Sequence, residues 1–366
     1  MSEFSISIQP KFKQVKDWII EQIKSGEMPD GSFLPSETDL CNLLKVGRTT
    51  VRAAIEELNK ENIIVKQQGR RSIVNASNIR NEEKQRMRLA WLSQNGLPGI
   101  EEIHFQIYNH LLREAEKNDT DVLFISLQND SDMEWFIKHS ENFDGIIITG
   151  ILNSKILPGK VINRLQEFDN LLVVDDIIDT PAKYFVFTDN YLGGRIAAEY
   201  FLNNGFSNPV IGIRMQKDTF EPIQTRIDGF CDCMRENGMR FKKIELSWSP
   251  QDYTGSLKRL NEFISENPET DAIFCSTDVM AINLMFALKS MGIRIPSDIS
   301  ILGFDDIARA KETFPGLSTI VQSTKKIAEK AFEILKNIHE SKTIKSKRVE
   351  IKPYLKLRDS TISKIS

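Results

Sequence analysis

Histidine and cysteine are scarce in this chain, with four of each among 366 residues. Four cysteines are too few to staple a disulfide scaffold. Cys231 and Cys233 stand closer together than the ligand pairs of common zinc sites, and no second pair accompanies them. His104, His110, His139 and His339 form no HExxH-like pattern, so neither a metal nor another cofactor is expected. Also missing are a GxxxxGK phosphate loop, a GxSxG nucleophile elbow and a GxGxxG turn after a first strand. An enzyme acting on a sugar or nucleotide therefore has no visible catalytic constellation. Adjacent residues on a strand point apart, so Asp305-Asp306 is a poor acid–base pair. No apolar run approaches the roughly 20 residues of a membrane helix. The start, MSEFSISIQPKFKQ, lacks the basic and apolar regions of a signal peptide, which points to the cytoplasm and away from a secreted transport protein.

What is present is ordinary for a soluble protein of two or three domains: 40% hydrophobic and 27% charged residues. The net charge of −3 hides an asymmetry. Residues 1–86 hold 14 Lys/Arg against 12 Asp/Glu, whereas residues 87–366 hold 34 against 39. Within 44–86 the balance is 10 basic to 5 acidic. A small basic patch on a mildly acidic body fits a local anionic partner.

The first stretch reads as three helices and a hairpin. Phe12, Val15, Ile19 and Ile23 recur every three or four residues, one apolar helix face. Gly26 stops that helix. Ser36-Glu37-Thr38-Asp39 has the pattern of a helix N-cap, opening a second helix to about Lys45 that buries Leu40, Leu43 and Leu44. A turn at Val46-Gly47 opens a third, Arg48 to Lys60, with Val51, Ala54, Ile55 and Leu58 facing the core. Two β-prone runs, 63–66 and 72–74, are joined by Gln67-Gln68-Gly69-Arg70-Arg71 as a hairpin tip. The product is a winged helix-turn-helix. A helix N-terminus carrying arginines and hydroxyls suits the major groove, where Arg reads guanine and Thr holds phosphate.

These residues resemble the DNA-binding domain of the GntR family of bacterial regulators. The likeness covers about residues 11–75 and rests on Leu34-Pro35-Ser36-Glu37, Arg48-Thr49-Thr50-Val51-Arg52 and Gln68-Gly69-Arg70. It implies DNA contacts from Arg48, Thr49, Thr50 and Arg52, with Gln68, Gly69 and Arg70 at the wing. Gly47 replaces a frequent Ser or Thr, and Thr38 a frequent basic residue. The domain is expected over 1–74, with a polar linker over 75–87.

From residue 88 to 366 short apolar runs alternate with helical segments, the mark of buried parallel strands. There are too many for one doubly wound sheet, so a two-lobed α/β domain with a cleft is expected. Polar residues just past the strand ends, including Ser93, Thr149, Asp189, Asn190, Thr277, Asp278, Asp305 and Asp306, would line it. Carboxylate, arginine and hydroxyl groups beside an aromatic ring suit a polyhydroxylated ligand.

This stretch resembles the sugar-sensing domain of the LacI family, which is related to periplasmic sugar-binding proteins. Phe143-Asp144-Gly145, Thr188 to Gly194, Thr225 to Phe230, Asp271 to Ala281 and Gly292 to Asp306 carry the likeness. It implies ligand contacts from Asp189, Arg226, Thr277 and Asp305, with His104 and Phe105 at positions that often line the pocket. Pro250 falls near the place of the family's capping aromatic, for which Trp248 or Tyr253 would substitute. The two parts together resemble the arabinose-repressor type of regulator. The resemblance implies a sugar-responsive repressor of carbohydrate-utilisation genes. Such a protein would bind double-stranded operator DNA as a homodimer and leave it when a small sugar, of the monosaccharide class, binds.

Overall fold

The computed structural model describes residues 10–66, 71–76, 86–93, 102–149, 165, 167–175, 182–214, 221–249 and 252–365. The chain divides into two compact units, 1–86 and 87–366.

The first unit holds helices α1 (Lys11–Lys24), α2 (Glu37–Leu44) and α3 (Arg48–Lys60), then strands β1 (Ile64–Val65) and β2 (Ile73–Val74). β1 and β2 are antiparallel, pairing Ile64 with Val74, so the hairpin expected from the sequence is formed. Val15, Ile19 and Ile23 of α1 close on Leu40 of α2 and on Val51, Ala54, Ile55 and Leu58 of α3. Such a cluster is what fixes the angle between three short helices that would not persist alone. Gly26 ends α1 at φ +84°, a conformation that costs glycine little. Ser36 and Asp39 form a full capping box at the start of α2. One expectation fails here: Leu43 is 60% exposed. Helix α2 is only eight residues long, and its buried stripe centres on Leu40, with Leu44 at the margin.

The second unit is two parallel sheets, one per lobe. In chain order lobe 1 starts with β3 (Arg88–Ser93), α4 (Glu102–Lys117), β4 (Asp121–Ser126), α5 (Asp130–His139), β5 (Gly145–Ile148), β6 (Leu171–Val174) and β7 (Tyr184–Thr188). Lobe 2 follows with α6 (Asn190–Asn203), β8 (Pro209–Arg214), α7 (Glu221–Glu236), β9 (Lys242–Leu246), α8 (Tyr253–Glu266), β10 (Ala272–Cys275), α9 (Asp278–Ser290), β11 (Ser300–Asp305) and β12 (Ser318–Val321). The chain then returns to lobe 1 with α10 (Thr324–His339) and β13 (Arg348–Ile351), and ends in lobe 2 with β14 (Tyr354–Lys356).

The strand orders are β13-β7-β6-β5-β3-β4 and β14-β12-β11-β10-β8-β9. All neighbours are parallel except β12 and β14. Each order places its switch point beside the first strand, at β3/β5 and β8/β10, where open sheets leave a crevice past the carboxyl ends. Strands buried on both faces explain the unbroken apolar runs Ile146-Ile147-Ile148 and Leu171 to Val174. Helix α10 packs Ile327, Ala328, Ala331 and Leu335 against Trp91, Ile147 and Leu172, which binds the returning chain to lobe 1. Three crossovers therefore join the lobes, at 188–190, 322–324 and 351–354. The amide of Asp189 donates to the Ile351 carbonyl at 3.0 Å, tying the first to the third.

Candidate functional site

In the first unit, α3 begins at Arg48 with Gly47 as its N-cap, and no side chain caps the exposed amides. That leaves the positive end of the helix open to an anion. The side chains of Arg48 and Arg52, 65% and 58% exposed, lie one turn apart. Both donate through Nε to the same oxygen, Oε2 of Glu37, at 3.0 and 2.9 Å. Burial pushes the Glu37 carboxyl up, but the two guanidinium hydrogen bonds outweigh it and hold it below its usual range. Thr49 is exposed and Thr50 half-buried on the same turn. Gln68, Gly69 and Arg70 lie outside the described residues.

In lobe 2, Arg226 of α7 is the centre of a buried polar cluster. Its side chain donates through Nη1 to Asp305 Oδ1 at 3.0 Å and to the Ser276 carbonyl at 3.0 Å. Its Nε donates to Asn190 Oδ1 at 2.7 Å. The guanidinium lies 3.9 Å from the centroid of the Phe304 ring. Arg226 is 4% and Asp305 6% exposed. Two glycines allow this. An ideal Cβ on Gly194 would stand 2.0 Å from the Arg226 carbonyl, and one on Gly229 2.1 Å from the Tyr191 carbonyl. The close approach of α6 to α7 brings Arg226 over the strand ends.

Asp305 ends β11 with φ +125°, and Asp306 follows at φ +59°. Two non-glycine residues in this region are held there by surroundings, at a cost of roughly 1–3 kcal/mol each. Asp306 is held by Lys356 and Arg358. Asp305 accepts from Arg226 and, at 2.8 Å, from Gln322 Nε2. Gln322 Oε1 in turn accepts from Thr188 Oγ1 at 2.7 Å.

The other expected ligand residues sit around this cluster with part of their polarity in use. Asp189 caps α6 by accepting from the Leu192 amide at 2.8 Å. Thr277 caps α9, its Oγ1 accepting from the Met280 amide at 3.2 Å. Asp278, wholly buried, accepts from Thr319 Oγ1 at 2.6 Å and from the Ile307 amide at 3.0 Å. Gly303 makes room for it. Burial, then the nearby Asp305 charge, pushes the Asp278 carboxyl well up. Trp248 packs against the lobe 2 core, tilted 55° to Tyr253 at 5.5 Å. Among the described residues its buried indole Nε1 has no partner, nor has Ser276 Oγ.

In lobe 1, Phe105 is 43% exposed, whereas its neighbour His104 is buried. His104 Nε2 lies 3.2 Å from Oδ2 of Asp175, at the end of β6. Asp175 Oδ1 and Thr149 Oγ1, on adjacent strand ends, are buried without a partner among the described residues. One exposed ion pair bridges the lobes, from Arg309 Nε to Glu102 Oε2 at 3.1 Å. Among the described residues no group of three His, Cys, Asp or Glu is placed to hold a metal ion.

Family comparison agrees with both geometries. Residues 11–74 match the bacterial regulatory proteins of the gntR family, and residues 198–361 the periplasmic binding protein-like domain. The chain thus joins a segment matching the gntR-family model to one matching the periplasmic binding protein-like domain. The HTH-type transcriptional repressor PurR of Pasteurella multocida (strain Pm70) is 29% identical over 198 residues, 53% of this chain and 58% of that protein. The chain thus spans a little over half the length of the curated relatives it matches. A structure of the transcriptional regulator CelR with cellobiose superposes with TM-score 0.62 at 17% identity, covering 89% of this chain and all of that one. A LacI-type regulator of Alkaliphilus metalliredigens QYMF, complexed with D-xylulofuranose, gives 0.59 at 21% identity, over 75% of this chain and 99% of that one. At such identities the structures establish the shared fold.

Sequence reasoning overlooked several polar residues of both domains. In the GntR-family domain, Glu37 read only as part of a capping pattern, although its carboxylate faces the next helix. In the second unit, Gln322 and Thr188 join Asn190, already expected at the cleft, to complete the Arg226–Asp305 cluster. Gln322 and Thr188 are 134 residues apart. The one local signal for Gln322 was its place directly after the β-prone stretch Leu317-Ser318-Thr319-Ile320-Val321.

Proposed function

We propose that this protein is a sugar-responsive DNA-binding transcriptional repressor of the cytoplasm, acting without enzymatic activity. The observation that carries the reading is the pairing of two units in one chain. One presents two exposed arginines at an open helix N-terminus. The other holds an arginine–carboxylate cluster at strand ends of a two-lobed domain. In this reading residues 1–74 contact the operator, Arg48 and Arg52 read base edges, Thr49 and Thr50 hold phosphates, and Gln68, Gly69 and Arg70 form the wing. Residues 75–87 are the linker.

Residues 88–366 bind the effector. Asp305 and Asp189 accept from ligand hydroxyls, Arg226 donates, Thr277 takes a further hydroxyl, and Trp248 and Phe105 offer apolar faces. Structural neighbours in complex with cellobiose and D-xylulofuranose support a sugar. The protein acts as a homodimer, setting two recognition helices on a pseudo-palindromic operator. Phe286 and Phe314 give lobe 2 an exposed apolar face of the kind a second copy covers. If sugar favours the state that cannot bind DNA, operator DNA weakens sugar binding by the same factor.

Thermal-shift measurement against mono- and disaccharides and their phosphates tests this. A ligand at 100 times its Kd adds about 2.7 kcal/mol. The expected result is one responsive compound class that also releases the protein from DNA selected out of a random-sequence pool. No response across the set, or a responsive compound that leaves DNA binding unchanged, refutes the sugar-release reading. Absence of any selected DNA site refutes the repressor.

A further inference from the structure

Gln322 stands where the Arg226–Asp305 cluster meets the second chain crossover. It lies in the second crossover, directly after β12. It is 2% exposed, and its amide is used at both ends. Nε2 donates to the Asp305 carboxylate, and Oε1 accepts from the Thr188 hydroxyl. Only one orientation of the amide satisfies both, since a carboxylate cannot donate. Thr188 ends β7 in lobe 1 and begins the first crossover, while Asp305 ends β11 in lobe 2. The bridge Thr188–Gln322–Asp305 therefore runs from one lobe to the other through two of the three connecting segments.

We infer that Gln322 is a positioning residue of the effector site, aiming the Asp305 carboxylate and making its aim depend on the angle between the lobes. The inference rests on the proposed effector reading and deepens it. Its physical basis is the strain at Asp305. A carboxylate on a backbone at φ +125° keeps its direction only if neighbours hold it. Arg226 holds it from lobe 2. Gln322 holds it from the crossover, and Thr188 fixes Gln322 from lobe 1. Rotation of the lobes about the crossovers moves Thr188 relative to Asp305, so it must stretch or re-form this bridge. An effector gripping Asp305 and Arg226 then favours the lobe angle at which the bridge is intact. That supplies the differential interaction an allosteric shift requires. A leucine or methionine at 322 would fill the space and leave Asp305 without its crossover partner. A glutamate would oppose Asp305 with like charge.

The test is calorimetric titration of the full-length protein with cellobiose, lactose, D-xylulose, L-arabinose, D-ribose and adenosine. The variants are Gln322→Met, Thr188→Val, Thr188→Ser and the Gln322→Met/Thr188→Val double, each checked first for a cooperative melt. Loss of a hydrogen bond to a charged group should weaken the best wild-type ligand about ten-fold or more in Gln322→Met. Thr188→Val should weaken it by less, and Thr188→Ser, which keeps the hydroxyl, should stay within about two-fold of wild type. Thr188→Val should add nothing once Gln322 is replaced, the non-additivity of a shared path. If Gln322→Met does not fold, Thr188→Val against Thr188→Ser carries the decision alone. Affinity unchanged in the Met and Val variants overturns the inference and leaves the effector reading standing. So does a Thr188→Ser variant as weak as Thr188→Val. A wild-type protein that binds none of the six takes down the effector reading, and this inference with it.

Discussion

Both candidate sites set arginine against carboxylate, and the two are built in opposite ways. In the GntR-family domain Arg48 and Arg52 share Glu37 at the surface, each guanidinium more than half exposed. In the second unit Arg226 meets Asp305 out of solvent, braced by Asn190, the Ser276 carbonyl and the Phe304 ring. An exposed pair is worth about 0–1 kcal/mol, because water competes and long side chains lose freedom. A buried pair is costly to break, because the survivor is left charged in a poor solvent. The first arrangement suits arginines that must exchange a carboxylate for DNA within one encounter. The second suits a site whose shape has to exist before the ligand arrives.

The sharpest way to break this comparison is to remove the buried arginine. Arg226→Met should destabilise the second unit by about 3–5 kcal/mol in urea unfolding, since the buried Asp305 carboxylate loses its charge partner. A second change, Asp305→Leu, should recover much of that loss. A cost under about 1 kcal/mol for the single change would mean that Asp305 is solvated in practice, and the contrast with Glu37 would collapse.

The exposed side is probed through DNA. Arg48→Ala should weaken binding to the selected operator by about 1–3 kcal/mol and relax one base position. Its effect on the melting of the winged helix should be within about 0.5 kcal/mol. Glu37→Gln should raise affinity for random DNA and lower the ratio of specific to random binding, as two arginines lose a common tether while a negative charge is removed. Equal ratios in the variant and wild type would show that Glu37 does not orient the arginines.

How far each region was legible depends on the range of its interactions. Helix α3 could be read from Val51, Ala54, Ile55 and Leu58 because their spacing is the helix period itself. The two-lobed sheet architecture could be read from apolar runs bounded by turns. Strands β12, β13 and β14 escaped: β12 because Ser318 and Thr319 break its apolar pattern, β13 and β14 because they are short, lie at sheet edges and alternate charge with apolar residues, as in Arg348 to Ile351. Leu43 misled because hydrophobicity alone does not say which side of a two-turn helix is covered. The pair Arg226–Asp305 was reached through family likeness, and of its supports only Asn190 was expected at the cleft, not its bond to Arg226. Hydrogen bonds such as those of Asn190 to Arg226, 36 residues apart, and Gln322 to Asp305, 17 apart, leave no periodic trace. Only folding makes these residues neighbours.

Asp278 offers a gentler probe of the buried region, through pH. Its carboxyl titrates higher in the folded protein than in the unfolded chain, chiefly because it is buried and then because Asp305 is near. The folded state therefore holds a proton that the unfolded state has released. Stability attributable to this group is full below the ordinary carboxylate range and falls as pH rises toward the folded value. Asp278→Asn should flatten that decline, so between roughly pH 5 and 8 the melting temperature of the variant should gain on that of wild type as pH rises. Parallel curves for the two proteins would show that Thr319 and the Ile307 amide keep Asp278 ionised throughout.

The smallest expected effect lies between these extremes of exposure. Glu102 opens α4 in lobe 1, and Arg309 stands in the short 3-10 helix Ala308–Lys311 of lobe 2, four residues past Asp305. Their pair crosses between lobes at 3.1 Å, with Arg309 56% exposed. Its position gives it leverage over the lobe angle, but its exposure caps its strength at about 1 kcal/mol. Reversing either charge should shift the distribution of distances between spin labels placed one on each lobe. The Glu102→Arg/Arg309→Glu exchange should restore it, and high salt should erase the differences. If the single reversals leave the distribution unchanged at low salt, the lobe angle is set by the crossovers alone. The buried bridge through Gln322 would then have no surface counterpart.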